Sequence, residues 1–214
     1  MGNPDGSGQT QTLRERKRAR TRQALIDAAV ELFERDGYDE TTVAAIAARA
    51  EIGTRTFFSH FSSKEELLFP DTDARVQAAL HAIATRAADE RPADVLLRAL
   101  RNVAETDFGV VGELTRVRMR LIQTVPVVRG RALQLQREAE RTIARRLHGA
   151  FPDELDEVEA AALVGAFVGA VSGALQALLD SPEALSRDAG RLGERVREAT
   201  DVALRPWRDR SGPR

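Results

Sequence analysis

The chain has 214 residues, 43% of them hydrophobic and 30% charged, which is enough for a substantial core in one large or two small domains. It contains no cysteine, which excludes a disulfide framework, a thiolate metal site and a cysteine nucleophile. The net charge of −1 conceals one concentrated basic block, "RERKRARTR" over 14–22, in which Glu15 is the single acidic residue.

The opening "MGNPDGSGQTQT" lacks the apolar core of a signal peptide, and Gly6 stands where a myristoylation signal needs Ser or Thr. Residues 1–12 are expected to form a disordered tail. A helix is predicted over 13–35, with Leu25, Ala28, Ala29, Leu32 and Phe33 on one face and Gly37 as its stop. Thr41 or Thr42 can cap a second helix, which carries Val43, Ile46, Ala47 and Ala50 at helical spacing and ends near Gly53. A short helix then runs from Thr54 to about His60. Ser62 and Ser63 each precede a glutamate by three positions, the capping-box pattern of a new helix that Pro70 interrupts. Longer helices are predicted over 73–88, 92–106, 112–124, 127–147, 154–179 and 182–204. No alternating β-branched run suggests a strand, so the expected fold is all-α, with about nine to ten helices. The expected divisions are a helix-turn-helix domain over 13–69, a helical ligand-binding and dimerisation bundle over 70–205, and a tail over 206–214.

Two short helices joined by a tight turn, the second polar at its start, have the form of a DNA-reading helix-turn-helix. Arg55 has the fork that bonds guanine O6 and N7, and Thr54 and Thr56 can bond base edges or touch a thymine methyl. Phe57 and Phe61 would face inward as core. His60 and Lys64 can reach phosphates, and so can the helix start near Thr42. The basic block, read alone as a solvated helix face, becomes a candidate arm for backbone or minor-groove contacts, with Arg18 and Arg22 among its contact residues.

The pieces "ALIDAAVELFERDGYDETTVAAIAARAEIG" and "TRTFFSHFSSKEELL" resemble, in order and spacing, the DNA-binding domain of the tetracycline-repressor (TetR) family over about residues 22–68. The resemblance implies a homodimeric transcriptional repressor with a variable C-terminal ligand domain. It also implies that Thr42, Thr54, Arg55, Thr56, Phe58, His60 and Lys64 occupy DNA-facing positions. Two departures stand out. The family turn usually reads Ala-Gly-Val-Ser, and here it is Ala50-Glu51-Ile52-Gly53, with a negative charge close to DNA that has no role legible in the sequence. The family's usual tyrosine is Phe58, which leaves apolar packing or contact with a thymine methyl or sugar.

In the C-terminal half, 160–179 is a twenty-residue stretch without charge that passes the length test for a membrane span. It lacks an aromatic belt and is rich in Ala and Gly, so a soluble, buried helix is expected instead. Gly165, Gly169 and Gly173 form a small-residue stripe. In the resembling family the last two long helices build a dimeric four-helix bundle, which would hold these glycines and the stretch from Leu192 to Leu204. Intramolecular packing or a pocket wall are alternative uses. Arg118 lies beside the apolar face of its helix, and a buried arginine needs a partner. That partner is either a carboxylate such as Glu138 or Glu140, or the acidic head of a ligand. The strings "TFFSHFSSKEELLF" and "RVRMRLI" resemble the subgroup of regulators with an acyl-CoA-like ligand domain. Phe108, Arg118, Leu121, Ile122 and Phe167 are the expected pocket residues, and Phe69 to Thr72, around Pro70, the expected hinge.

The three histidines are far apart in sequence, and no metal spacing, nucleophile elbow or phosphate-cradling loop occurs. The expectation is therefore no catalytic residue, no metal and no cofactor. The expected protein is a cytoplasmic repressor, with double-stranded DNA operator, small-molecule effector and a second copy as partners, and without a membrane. A helix-turn-helix protein that ignores ligands is the alternative.

Overall fold

Thr42 is extended (φ −99°, ψ 157°) and its hydroxyl accepts from the Ala45 N–H at 3.1 Å, so the chain turns into a helix directly after it. Its neighbour Thr41 is buried and donates to the Gly37 carbonyl at 2.7 Å. In the computed structural model, which describes residues 13–105, 113–180 and 189–209, the element so capped is α2 (Val43–Arg49). It lies between α1 (Leu13–Arg35) and α3 (Thr54–Phe58), and a short 3-10 turn follows over Glu65–Leu68. The basic block belongs to α1 itself. Leu25, Ile26, Ala29, Leu32, Phe33, Ile46, Ala47, Phe57, Phe61, Leu67 and Leu68 are buried and form the core of this first unit, which ends at Leu68.

The second unit starts at Phe69. It contains α4 (Thr72–Ala84), α5 (Pro92–Glu105), α6 (Glu113–Thr124), α7 (Pro126–Ala150), α8 (Glu157–Leu179) and α9 (Ala189–Arg208). The described residues hold no strand. Helices α4, α5, α7, α8 and α9 pack around Ala82, Ile83, Val95, Leu96, Leu147, Leu163, Val164 and Leu204, with α6 against α7.

Several boundaries differ from expectation for local reasons. Ser62 and Ser63 open only the 3-10 turn, although Glu66 does accept from the Ser62 N–H at 2.8 Å. With Pro70 so near, a full α-helix cannot form there. Helix α4 stops at Ala84, where the Thr85 hydroxyl and N–H both bond the His81 carbonyl. Helix α8 starts at Glu157 rather than Glu154, because Asp156 and Glu159 close a complete capping box. Pro126 occupies the first turn of α7, where its missing N–H costs nothing. Helix α9 continues to Arg208, past the expected end at 204. The expected helix start at 182, the tail over 1–12 and the last residues of the C-terminal tail lie outside the described residues, as does Phe108.

Candidate nucleic-acid interface and effector cavity

Helix α3 has two faces. Phe57 is fully buried between its aromatic neighbours, with ring centroids 6.0 Å from Phe61 and 5.3 Å, edge-on, from Phe58. Thr54, Arg55, Thr56 and Phe58 are exposed. Phe58, at 58% exposure, is an apolar side chain presented to solvent. Gly53 caps the helix through backbone alone. The turn before it is a complete Schellman motif: the Glu51 N–H bonds Ala48 O at 3.0 Å and the Ile52 N–H bonds Ala47 O at 2.9 Å. That motif needs a left-handed residue after the C-cap, and Glu51 supplies it at φ 57°. The unusual residue thus stands where a glycine is ordinarily favoured.

Two expected phosphate contacts turn inward instead. The Lys64 ammonium donates to the carbonyls of Tyr38 (2.7 Å) and Thr41 (3.0 Å) and lies 4.0 Å from the Tyr38 ring centroid. It ties the start of α2 to the 3-10 turn, and a long basic side chain can do this because its stem packs while its head finds acceptors. Tyr38 also donates to Glu65. Burial, with the neighbouring Glu65 carboxylate, pushes the Tyr38 phenol well above its ordinary value. Arg22 donates to the His60 carbonyl at 3.3 Å and stacks 4.2 Å over Phe61. Burial, then the charges of Arg18 and Arg22, hold the His60 imidazole below its usual value. At neutral pH His60 therefore offers a neutral ring and no positive charge. Arg14, Arg18 and Arg22, four apart, share one face of α1, so the basic stripe runs on from the end of α3. Thr42 is exposed but spends its hydroxyl on the cap.

The second unit contains a partly open cavity of about 280 Å³. Its walls are mostly apolar, from Phe69 and Val76 through Leu100, Leu135 and Ile143 to Phe167, and Arg75, Arg118 and Gln136 are the main polar side chains. Arg118 is 5% exposed and reaches Asp71 at 3.2 Å and the Thr115 hydroxyl at 3.3 Å. Arg75 bonds the other oxygen of Asp71. The expected carboxylates are not the partners, since Glu138 and Glu140 accept from Gln134 and Gln136 on their own helix. Burial, assisted by the Arg75 charge, pushes Arg118 down to about 10 despite Asp71, so it stays cationic at neutral pH. Of the expected pocket residues, Arg118 and Phe167 line the cavity, while Leu121 and Ile122 do not. They lie about one turn further along α6, roughly 5 Å beyond Arg118. Asp71 and Arg75 are not legible as site residues in the sequence. Asp71 falls there within the expected hinge, and nothing relates it to a residue 47 positions away.

On α8, a Cβ added to Gly165, Gly169 or Gly173 would meet nothing within 4 Å, so these glycines do not admit a close neighbour within the chain. None of them lines the cavity. Helix α8 is long and apolar enough to cross a membrane by length and composition, yet 22% of its most apolar eighteen-residue window is buried. That overturns the expectation of a helix buried on nearly every side. Gly169, Gly173, Ala161, Ala162 and Ala177 are exposed, and Val202 of α9 is 58% exposed. Leu192 differs. It is 2% exposed within its own chain, like Val196 and Leu204, so this row of α9 faces the chain's own core rather than a partner.

Comparison with known proteins agrees with this arrangement. Residues 25–69 match the bacterial regulatory proteins of the tetR family. The HTH-type transcriptional regulator TcmR of Streptomyces glaucescens is 38% identical over 160 residues, spanning 72% of this chain and 69% of that protein. Thermus thermophilus FadR, a TetR-family transcriptional repressor solved in complex with lauroyl-CoA, shares the fold at a TM-score of 0.54. It is 22% identical, over 90% of this chain and 98% of that one. A TetR-family transcriptional regulator from Syntrophomonas wolfei aligns at a TM-score of 0.60 and 16% identity, over 87% and 96% of the two chains. With its helix-turn-helix unit and its helical second unit, the chain belongs to the tetR family of bacterial transcriptional regulators.

Proposed function

We propose that this regulator is a cytoplasmic, homodimeric repressor that binds a roughly palindromic operator and is released by a small, largely apolar ligand with an anionic end. The observation that carries the DNA half is α3, where Thr54, Arg55 and Thr56 are exposed over a fully buried Phe57. Buried Phe57 fixes which side of the helix faces out, and Arg55 can then pair with a guanine edge. Two such helices, one DNA turn apart, would read the half-sites. The uncharged, exposed stretch of α8 and the exposed Val202 of α9 support association with a second copy, with Gly165, Gly169 and Gly173 allowing close approach. The cavity supports the ligand half, and the FadR relative was solved with an acyl-CoA. The ligand acts only to the extent that it binds the DNA-incompetent state more tightly.

The test is fluorescence anisotropy on a duplex selected in vitro from random sequence, against a scrambled duplex. Arg55→Ala should reduce the preference for the selected duplex by about 1–3 kcal/mol, roughly five- to 150-fold, and leave scrambled binding nearly unchanged. An unchanged preference would remove Arg55 from base readout.

A further inference from the structure

Among the described residues, Phe58 is the only exposed aromatic side chain. It is the last residue of α3. The Ser59 N–H bonds the Thr56 carbonyl at 3.1 Å and the Ser59 hydroxyl donates to the same carbonyl at 2.6 Å, so the helix closes directly after Phe58. Fully buried Phe57 meets the Phe58 ring edge-on at 5.3 Å, which props the ring while leaving most of it in solvent. At about 100° per residue Phe58 falls between Thr54 and Arg55 around the helix axis, one turn further along. The face that carries Arg55 therefore also carries a propped apolar ring. Such a ring bonds neither a phosphate nor a polar base edge, and its apolar surface gains by leaving water. In the major groove the base edges offer it one apolar partner, the thymine C5 methyl. A deoxyribose would cover it too, but alike on every sequence.

Spacing sets where that methyl lies. Three residues separate Arg55 from Phe58, which is about 4.5 Å along the helix, and successive base pairs are about 3.4 Å apart. A helix lying along the groove thus brings Phe58 to one or two base pairs from the guanine that Arg55 reads.

We propose that Phe58 is a specificity-determining residue that reads the methyl of a thymine one or two base pairs from the guanine paired with Arg55. The inference rests on α3 being the DNA-reading helix. The test is anisotropy on the selected duplex with each thymine replaced in turn by deoxyuridine, which keeps the polar base edge and lacks only the methyl. The guanine is located as the one whose 7-deaza analogue weakens the wild type and leaves Arg55→Ala unaffected. Uracil at one position beside that guanine should weaken wild-type binding about fourfold per half-site, the effect of one lost methyl contact. Phe58→Ala should bind the thymine and uracil duplexes alike and hold scrambled DNA as the wild type does, which shows that it is folded. Phe58→Gln repeats the test with a side chain that favours the helix. A selected half-site with no thymine within two base pairs of the guanine would overturn the proposal. So would a flat uracil scan, and if Arg55→Ala still lost its preference the recognition helix would stand. No effect of either Arg55→Ala or Phe58→Ala on the selected duplex would overturn both readings. A fourfold difference that persisted in Phe58→Ala and Phe58→Gln would give the methyl to Thr54 or Thr56 and overturn the role of Phe58.

Discussion

Glu51 is a non-glycine residue at positive φ, in the turn that aims the recognition helix. A side chain in the left-handed region costs about 1–2 kcal/mol because its Cβ crowds the following carbonyl oxygen. The Schellman bonds from Glu51 and Ile52 hold it there. Glycine removes that clash but has more backbone freedom to lose on folding, so the net gain should be about 1 kcal/mol. Glu51→Gly should therefore raise the thermal midpoint by about 2–4 °C, which calorimetry would detect. Glu51→Ala separates geometry from charge, since it removes the carboxylate but keeps the Cβ. Equal gains from Ala and Gly would mean that charge, not backbone strain, is what Glu51 contributes. At the same scale, Arg22 and Lys64 show what a one-dimensional reading misses. By type and position both are candidate DNA contacts, but a carbonyl or a ring lies within reach and the side chain folds onto it.

At the scale of elements the sequence was most informative where one face had to be buried. The period of Leu25, Ala28, Ala29, Leu32 and Phe33 fixed α1, and the buried Phe57 and Phe61 fixed the orientation of α3. Boundaries set by a single side chain were harder to read. The Asp156–Glu159 capping box decides the start of α8, yet it competes in the sequence with Glu154 two residues earlier. The cavity was legible only in part, at Arg118 and Phe167, because its wall assembles residues from 69 to 172 across five helices. Helix α8 is the element whose pattern was legible but whose surroundings were not. Its glycines, at i, i+4 and i+8, form a stripe about 12 Å long on a largely exposed helix. Gly169→Leu tests its use. Within one chain the new Cβ meets nothing within 4 Å, and a better helix former replaces glycine, so folding stability should hold or rise by up to about 1 kcal/mol. If a second copy packs on this face, the same substitution should weaken self-association at least tenfold by sedimentation. Sedimentation of the variant identical to that of the wild type would move the interface elsewhere.

Across the whole molecule, positive charge is concentrated in one segment against an acidic remainder. The block over 14–22 carries +5 in a chain of net −1, leaving −6 on the remainder. DNA attraction beyond the recognition helix must therefore come largely from the first three turns of α1. Those turns form a continuous helix, about 15 Å long from Leu13 to Arg22, whose side chains are exposed as far as Arg20. Folded-back Arg22 joins this stripe to the end of α3, which places Arg14 and Arg18 on the face that continues from His60. Contacts of this kind release counterions and carry no base information, so they should act alike on every duplex. Replacing Arg14, Arg16, Arg18 and Arg20 by Gln should flatten the log affinity against log salt plot by about 0.9 for each phosphate that the protein no longer neutralises. The preference for the selected duplex over a scrambled one should survive, because Thr54, Arg55 and Thr56 are untouched. Arg55→Ala should behave in the opposite way, losing preference with a slope change of about one or less. A quadruple variant that kept its salt slope, or lost its sequence preference along with it, would show that the helical arm does not serve as an unspecific clamp.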